Sequence, residues 1–91
     1  MRIYVKQEDI DTGTRGNGWD CMVARAIKRQ FLNVKDIGVG YESLVVNSKK
    51  YVIPKSVGEK IINWDYNIDP KPFSFELGRG VKQTVGILLP A

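Results

Sequence analysis

Three glycines fall within six residues in Thr12-Gly13-Thr14-Arg15-Gly16-Asn17-Gly18, just ahead of an amphipathic run. Backbone amides of a glycine loop that feeds a helix N-terminus form a natural cradle for an anion. Arg15 inside that loop is suited to a two-pronged phosphate contact. Gly13, Thr14, Arg15, Gly16, Asn17 and Gly18 are therefore candidate ligand-binding residues. Their spacing matches neither the Walker loop nor the dinucleotide fingerprint, and the competing reading is a surface loop. Arg25, Lys28 and Arg29 recur at helical spacing and form a basic ridge, suited to phosphates or to an acidic protein groove. A solvated helix face is the plainer reading of such a run. Tyr41 and Tyr66 flank turns and are candidates to stack on a base, whereas helical spacing assigns Trp19 and Trp64 to the core.

Other chemistries are limited by inventory. The chain has no histidine, which removes the commonest general base and metal ligand. Its single cysteine, Cys21, excludes both an intramolecular disulfide and a thiolate zinc cluster. Cys21 follows Trp19-Asp20 near a helix start, where the dipole favours a thiolate, but a small buried hydrophobe is the default. Glu8, Asp9 and Asp11 suit a hard cation or acid catalysis, and equally well a turn cap. No catalytic unit, cofactor or metal site is expected.

These residues belong to a chain of 91 residues, 43% hydrophobic and 26% charged, enough for one small folded domain. Fourteen Lys and Arg against 10 Asp and Glu give a net charge of +4, which permits an anionic partner without demanding one. No apolar run approaches the roughly 20 residues of a membrane helix. Met1 leads directly into an alternating pattern, so no signal peptide is expected and the chain is expected inside the cell that makes it.

Residues 2–6 alternate with Ile3 and Val5 on one face, predicting a half-buried strand. Residues 7–18 read as a polar loop, with Asn17 placed to cap a helix over about 19–31 that gathers Trp19, Met22, Val23, Ala26 and Ile27 on one side. Strands follow at 36–40 and 43–46, then a turn at 47–50 and a strand at 51–53. Pro54 opens a second helix to about residue 66, with Val57, Ile61 and Trp64 as its apolar stripe. Phe73, Phe75 and Leu77 alternate as a last core strand, Gly78-Arg79-Gly80 breaks it, and 81–89 form an apolar tail strand. The order β-α-β-β-β-α-β plus tail predicts the α+β class: a small, largely antiparallel sheet with two helices on one face. The tail at 78–91 is expected either to close this sheet or to add to a neighbour's edge, giving a homo-oligomer.

Glu8-Asp9-Ile10, a polar glycine loop and Cys21-Met22-Val23-Ala24-Arg25-Ala26-Ile27-Lys28-Arg29 together resemble a family of small uncharacterised phage and prophage proteins. The family often carries Cys-Pro-Val-Ala at this helix start, with Met22 here in place of the proline. Val39-Gly40-Tyr41, Tyr51-Val52-Ile53-Pro54, Trp64-Asp65 and Pro72-Phe73-Ser74-Phe75-Glu76-Leu77 extend the resemblance over residues 3–77. It implies a phage context and the cytoplasm of a bacterial host. In that setting the expected role is a non-enzymatic anti-defence protein that sequesters an anionic, nucleotide-derived immune signal. Two alternatives stand beside it: a protein–protein inhibitor of a host defence complex, such as an anti-CRISPR, and a small nucleic-acid-binding regulator.

Overall fold

The computed structural model describes residues 1–78 and a two-residue strand at Val81–Lys82. The elements run β1 (Arg2–Val5), α1 (Gln7–Thr12), α2 (Met22–Gln30), β2 (Ile37–Val39), β3 (Ser43–Val46), β4 (Lys49–Val52), α3 (Lys55–Asp65), β5 (Phe73–Glu76) and β6 (Val81–Lys82). The class is α+β. Strand pairing is antiparallel throughout, but it is divided between two sheets rather than gathered in one: β1 with β5, and the order β2-β3-β4-β6. Alternation locates strands but carries no information on their partners, and β1 and β5 lie near opposite ends of the described chain. Of the expected tail strand only Val81–Lys82 is described beyond residue 78, and it pairs with Lys50 and Lys49; residues 79–80 and 83–91 lie outside the described residues. No helix among the described residues is long and apolar enough to cross a membrane.

The predicted apolar stripes build one core. Ile3 and Val5 of β1, Met22, Val23, Ala26 and Ile27 of α2, and Val57, Ile61 and Trp64 of α3 are all buried, with Leu44, Phe75 and Leu77. Each large side chain of this kind stabilises the fold by roughly 1.5–3 kcal/mol on leaving water. Trp64 lies at the centre, its Nε1–H donating to Ile10 O at 3.2 Å. That bond satisfies the one polar atom of a fully buried indole.

Three local expectations are corrected. The polar stretch after β1 contains α1, a helix with a single apolar anchor, Ile10, and therefore no visible periodicity. It is held instead by buried Asp9, which accepts from Lys6 N–H at 2.9 Å and from Arg29 Nη2 at 2.7 Å. The second helix starts at Met22 and not at Trp19. Cys21 is its N-cap, Sγ accepting from Ala24 N–H at 3.5 Å, while Asn17 Oδ1 closes a turn on Trp19 N–H at 2.9 Å. Trp19 therefore lies outside the helix, 72% exposed rather than in the core, while Cys21 is buried, in line with its default reading as a small hydrophobe.

The β3–β4 turn is tighter than expected, at Asn47-Ser48, so Lys49 and Lys50 already belong to β4. Both turn residues have positive φ (49° and 68°), the geometry of the hairpin turn that matches strand twist. Asn47 offsets that strain by bonding with its side chain to Lys35 N–H at 2.8 Å and Asn33 O at 2.7 Å. At the other end of the hairpin, Gly58 of α3 lies against the Tyr41 backbone. A Cβ there would sit 2.0 Å from Tyr41 O, so this mid-helix position admits only glycine at the observed spacing.

Candidate functional site

The 13–18 loop is anchored by carboxylates of its own chain. Gly13 N–H donates to Asp9 O at 3.0 Å and ends α1. Thr14 donates twice to Asp20, from its amide to the carbonyl and from Oγ1 to Oδ2, both at 2.7 Å. Arg15 turns inward: its guanidinium carbon lies 4.7 Å from the Trp64 ring centre, and Nη1 donates to Trp64 O and pairs with Asp69 Oδ1 at 2.8 Å. Gly16, at φ 72°, donates its amide to Asp65 Oδ1 at 2.9 Å. Asn17 O accepts from Asp20 N–H, and Gly18 O accepts from Val39 N–H at 2.9 Å.

Tyr41 joins this group, its hydroxyl donating to Asp65 Oδ2 at 2.8 Å, which pushes the phenol pKa up. The structure thus brings Arg15, Gly16 and Tyr41 together around the end of α3, with Asp65 and Asp69 already seated where a phosphate would go. The cleft beneath, lined by Gly16, Cys21, Val39 and Tyr41 among others, measures about 170 Å³. That is below the roughly 300 Å³ at which small-molecule pockets begin. Tyr66, at the end of α3, is exposed and stacks on nothing described.

The ridge residues of α2 are placed separately. Arg25 lies over Asp20, with Nε 3.1 Å from Oδ1 but misaligned for a hydrogen bond, and Nη2 donating to Oδ2 at 3.3 Å. Lys28 Nζ donates to Trp19 O at 2.8 Å and lies 3.7 Å from Asp20. The Thr14 hydroxyl, then Arg25 and Lys28, hold the Asp20 carboxyl below its ordinary range. Arg29 pairs with buried Asp9 and donates to Tyr4 O at 2.7 Å. All three cations are engaged by the chain itself.

A larger opening lies between the hairpin and α3, a groove of about 880 Å³ that sequence reasoning did not single out. Its apolar lining is Tyr41, Val52, Ile53 and Ile62. Antiparallel pairing turns Tyr51 and Ile53 inward and leaves Val52 outward, 75% exposed. Ile62 stands at the edge of the α3 stripe, 38% exposed, with Tyr41 at 48% opposite. Glu42, Glu59 and Lys55 form the rim. The available signal was the unbroken apolar run Tyr51-Val52-Ile53: in an alternating strand, one member has to face outward.

No protein-family model, curated protein or solved structure matches this chain.

Proposed function

We propose that this protein is a non-catalytic binding module that engages a protein partner through the groove between the β3–β4 hairpin and α3. The observation that carries this reading is the exposure of Val52, Ile62 and Tyr41 side by side on a pre-formed concave surface. Apolar and aromatic anchors in a groove are the common basis of protein recognition. The rim specifies the partner's character. Glu42 and Glu59 outnumber Lys55, and neither makes an ion pair among the described residues. The complementary surface is an apolar side chain flanked by lysine or arginine.

An acidic rim repels phosphate, so this groove favours protein over nucleotide or nucleic acid. Sequestration of a nucleotide signal by the 13–18 loop would require a ligand to displace Asp65 and Asp69 from Gly16 and Arg15. The phage-family resemblance fits a stoichiometric inhibitor of a host defence complex, for which a docking groove suffices.

The test titrates isotopically labelled protein with short peptides carrying one aromatic or aliphatic anchor between two basic residues, alongside cyclic oligonucleotides, ADP-ribose-derived signals and duplex DNA. Shifts confined to residues 40–43, 52–55 and 58–62 with the peptides, abolished by Val52→Asp, are expected. Stabilisation by a nucleotide, lost in a folded Arg15→Ala protein, would replace this reading with signal sequestration. Salt-sensitive DNA binding alone would replace it with the regulatory module.

A further inference from the structure

The two edges of the β1–β5 sheet are treated differently. Leu77 N–H donates to Met1 O at 2.7 Å, so positions 1, 3 and 5 of β1 exchange bonds with 77, 75 and 73. The peptide groups of Arg2 and Tyr4, and those of Ser74 and Glu76, therefore point away from the pairing. On the β1 side they are covered by α2: Tyr4 N–H donates to Gln30 Oε1 at 2.5 Å, Gln30 Nε2 donates to Arg2 O at 3.1 Å, and Arg29 donates to Tyr4 O. Side chains there take the place of a strand. On the β5 side, the amides and carbonyls of Ser74 and Glu76 have no hydrogen-bond partner among the described residues, and both residues are exposed. An unshielded edge is a template for another strand.

We propose that this edge pairs with the same edge of a second copy, antiparallel about a two-fold axis at Phe75, to give a continuous sheet β1-β5-β5-β1. The register is self-complementary. Ser74 exchanges both backbone bonds with the partner subunit's Glu76, and Glu76 with the partner subunit's Ser74, which satisfies every open group of the edge with four bonds. On the outer face a serine hydroxyl meets a carboxylate, so no like charges are opposed. Glu76 is already neutralised within its own chain by the Met1 amino group and by Arg2 Nε at 3.4 Å. Phe75, on the core side, is covered by its own chain, so the pairing rests on the backbone bonds and the outer face. Pro72, which has no N–H, bounds the paired stretch at one end.

The experiment is sedimentation velocity on the full chain from micromolar to millimolar concentration, with amide hydrogen exchange on the same samples. A concentration-dependent dimer is expected, with the Ser74 and Glu76 amides protected only where dimer is populated. Ser74→Pro removes an outward donor from each subunit without touching a backbone bond to β1, at the loss of the Arg2 Nη1 bond to the Ser74 hydroxyl (3.1 Å). Ser74→Glu opposes two carboxylates across the axis while offering Arg2 a better partner within the chain. Each is expected to weaken the dimer about tenfold or more, with the Ser74→Glu protein keeping its circular dichroism. A monomer at every concentration, a dimer indifferent to Ser74→Glu, or protection at Ser74 and Glu76 in the monomer would overturn the proposal.

Discussion

Arg15 lies with its guanidinium against the face of Trp64 and donates to that residue's own carbonyl oxygen, while Asp69 holds the other side. One side chain thereby closes a glycine loop onto the C-terminal end of α3. A cation–π contact is worth about 0.5–2 kcal/mol, and a charged hydrogen bond about 1.5–3 kcal/mol. Arg15→Ala should therefore lower stability by about 2 kcal/mol, read as a lower Tm and urea midpoint. An Arg15→Ala protein as stable as the wild type would mean that the loop is not anchored through this residue.

The groove depends on a glycine that has no ligand to touch. A methyl at residue 58 meets the Tyr41 carbonyl oxygen, a backbone atom that cannot rotate away. Helix propensity alone would make Gly58→Ala favourable by about 1 kcal/mol. Steric conflict of this kind costs about 1–3 kcal/mol and should outweigh it. Chemical denaturation is expected to show net destabilisation, with chemical-shift changes centred on 40–43; a stabilised variant would show that hairpin and helix separate without cost.

The interior of this fold is legible in the sequence, whereas the use of its polar groups is not. Ile3 with Val5, Met22 with Val23 and Ile27, and Val57 with Ile61 and Trp64 are buried as their periodicity predicts, because burial is a property of one element at a time. Pairing of β1 with β5 is a property of two distant segments, and alternation is silent about it. The same limit applies to Arg15: an arginine among glycines looks alike whether its partner is an external phosphate or Asp69. α1 went unseen because one isoleucine gives no period and its support, Arg29 on Asp9, comes from another helix. The groove was partly visible, since Tyr51-Val52-Ile53 cannot all be buried in a strand with one covered face.

Acid should weaken the Asp20 cluster. The Thr14 hydroxyl, followed by Arg25 and Lys28, lowers the folded-state pKa of Asp20 below that of the same carboxyl in the unfolded chain. Between those two values the unfolded chain binds the proton and the folded chain does not, so stability rises with pH there. The contribution is complete above the unfolded pKa and disappears as pH falls through the folded one. Thr14→Val removes the largest cause, and its urea midpoint should fall less steeply than wild type from pH 5 to 2. Parallel curves would remove Asp20 from the account.

Cys21 should be chemically silent in the native state. Burial pushes its thiol pKa up, against the weaker pull of the Ala24 and Val23 amides at the helix start. The thiolate is the reactive form, and here it is both disfavoured and covered. Labelling with a disulfide reagent at neutral pH is expected to be slow in buffer and to rise with the unfolding transition in urea. Rapid labelling of the folded protein would show that the N-cap of α2 opens on its own.

Gln30 offers the most direct test of how the β1 edge is kept closed. Its amide oxygen and nitrogen reproduce the acceptor and donor of a neighbouring strand, facing Tyr4 N–H and Arg2 O. Gln30→Ala leaves α2 helical, since alanine is the better helix former, but deprives β1 of both bonds on an exposed edge. A loss of about 1 kcal/mol is expected, because water replaces the partners. Faster exchange of the Tyr4 amide should accompany it, while the amides of Ile3 and Val5, bonded to β5, remain protected. Because an open edge recruits strands, the variant should also self-associate more than wild type, now from β1 as well as β5. Unchanged exchange at Tyr4 would mean that something other than Gln30 shields this edge.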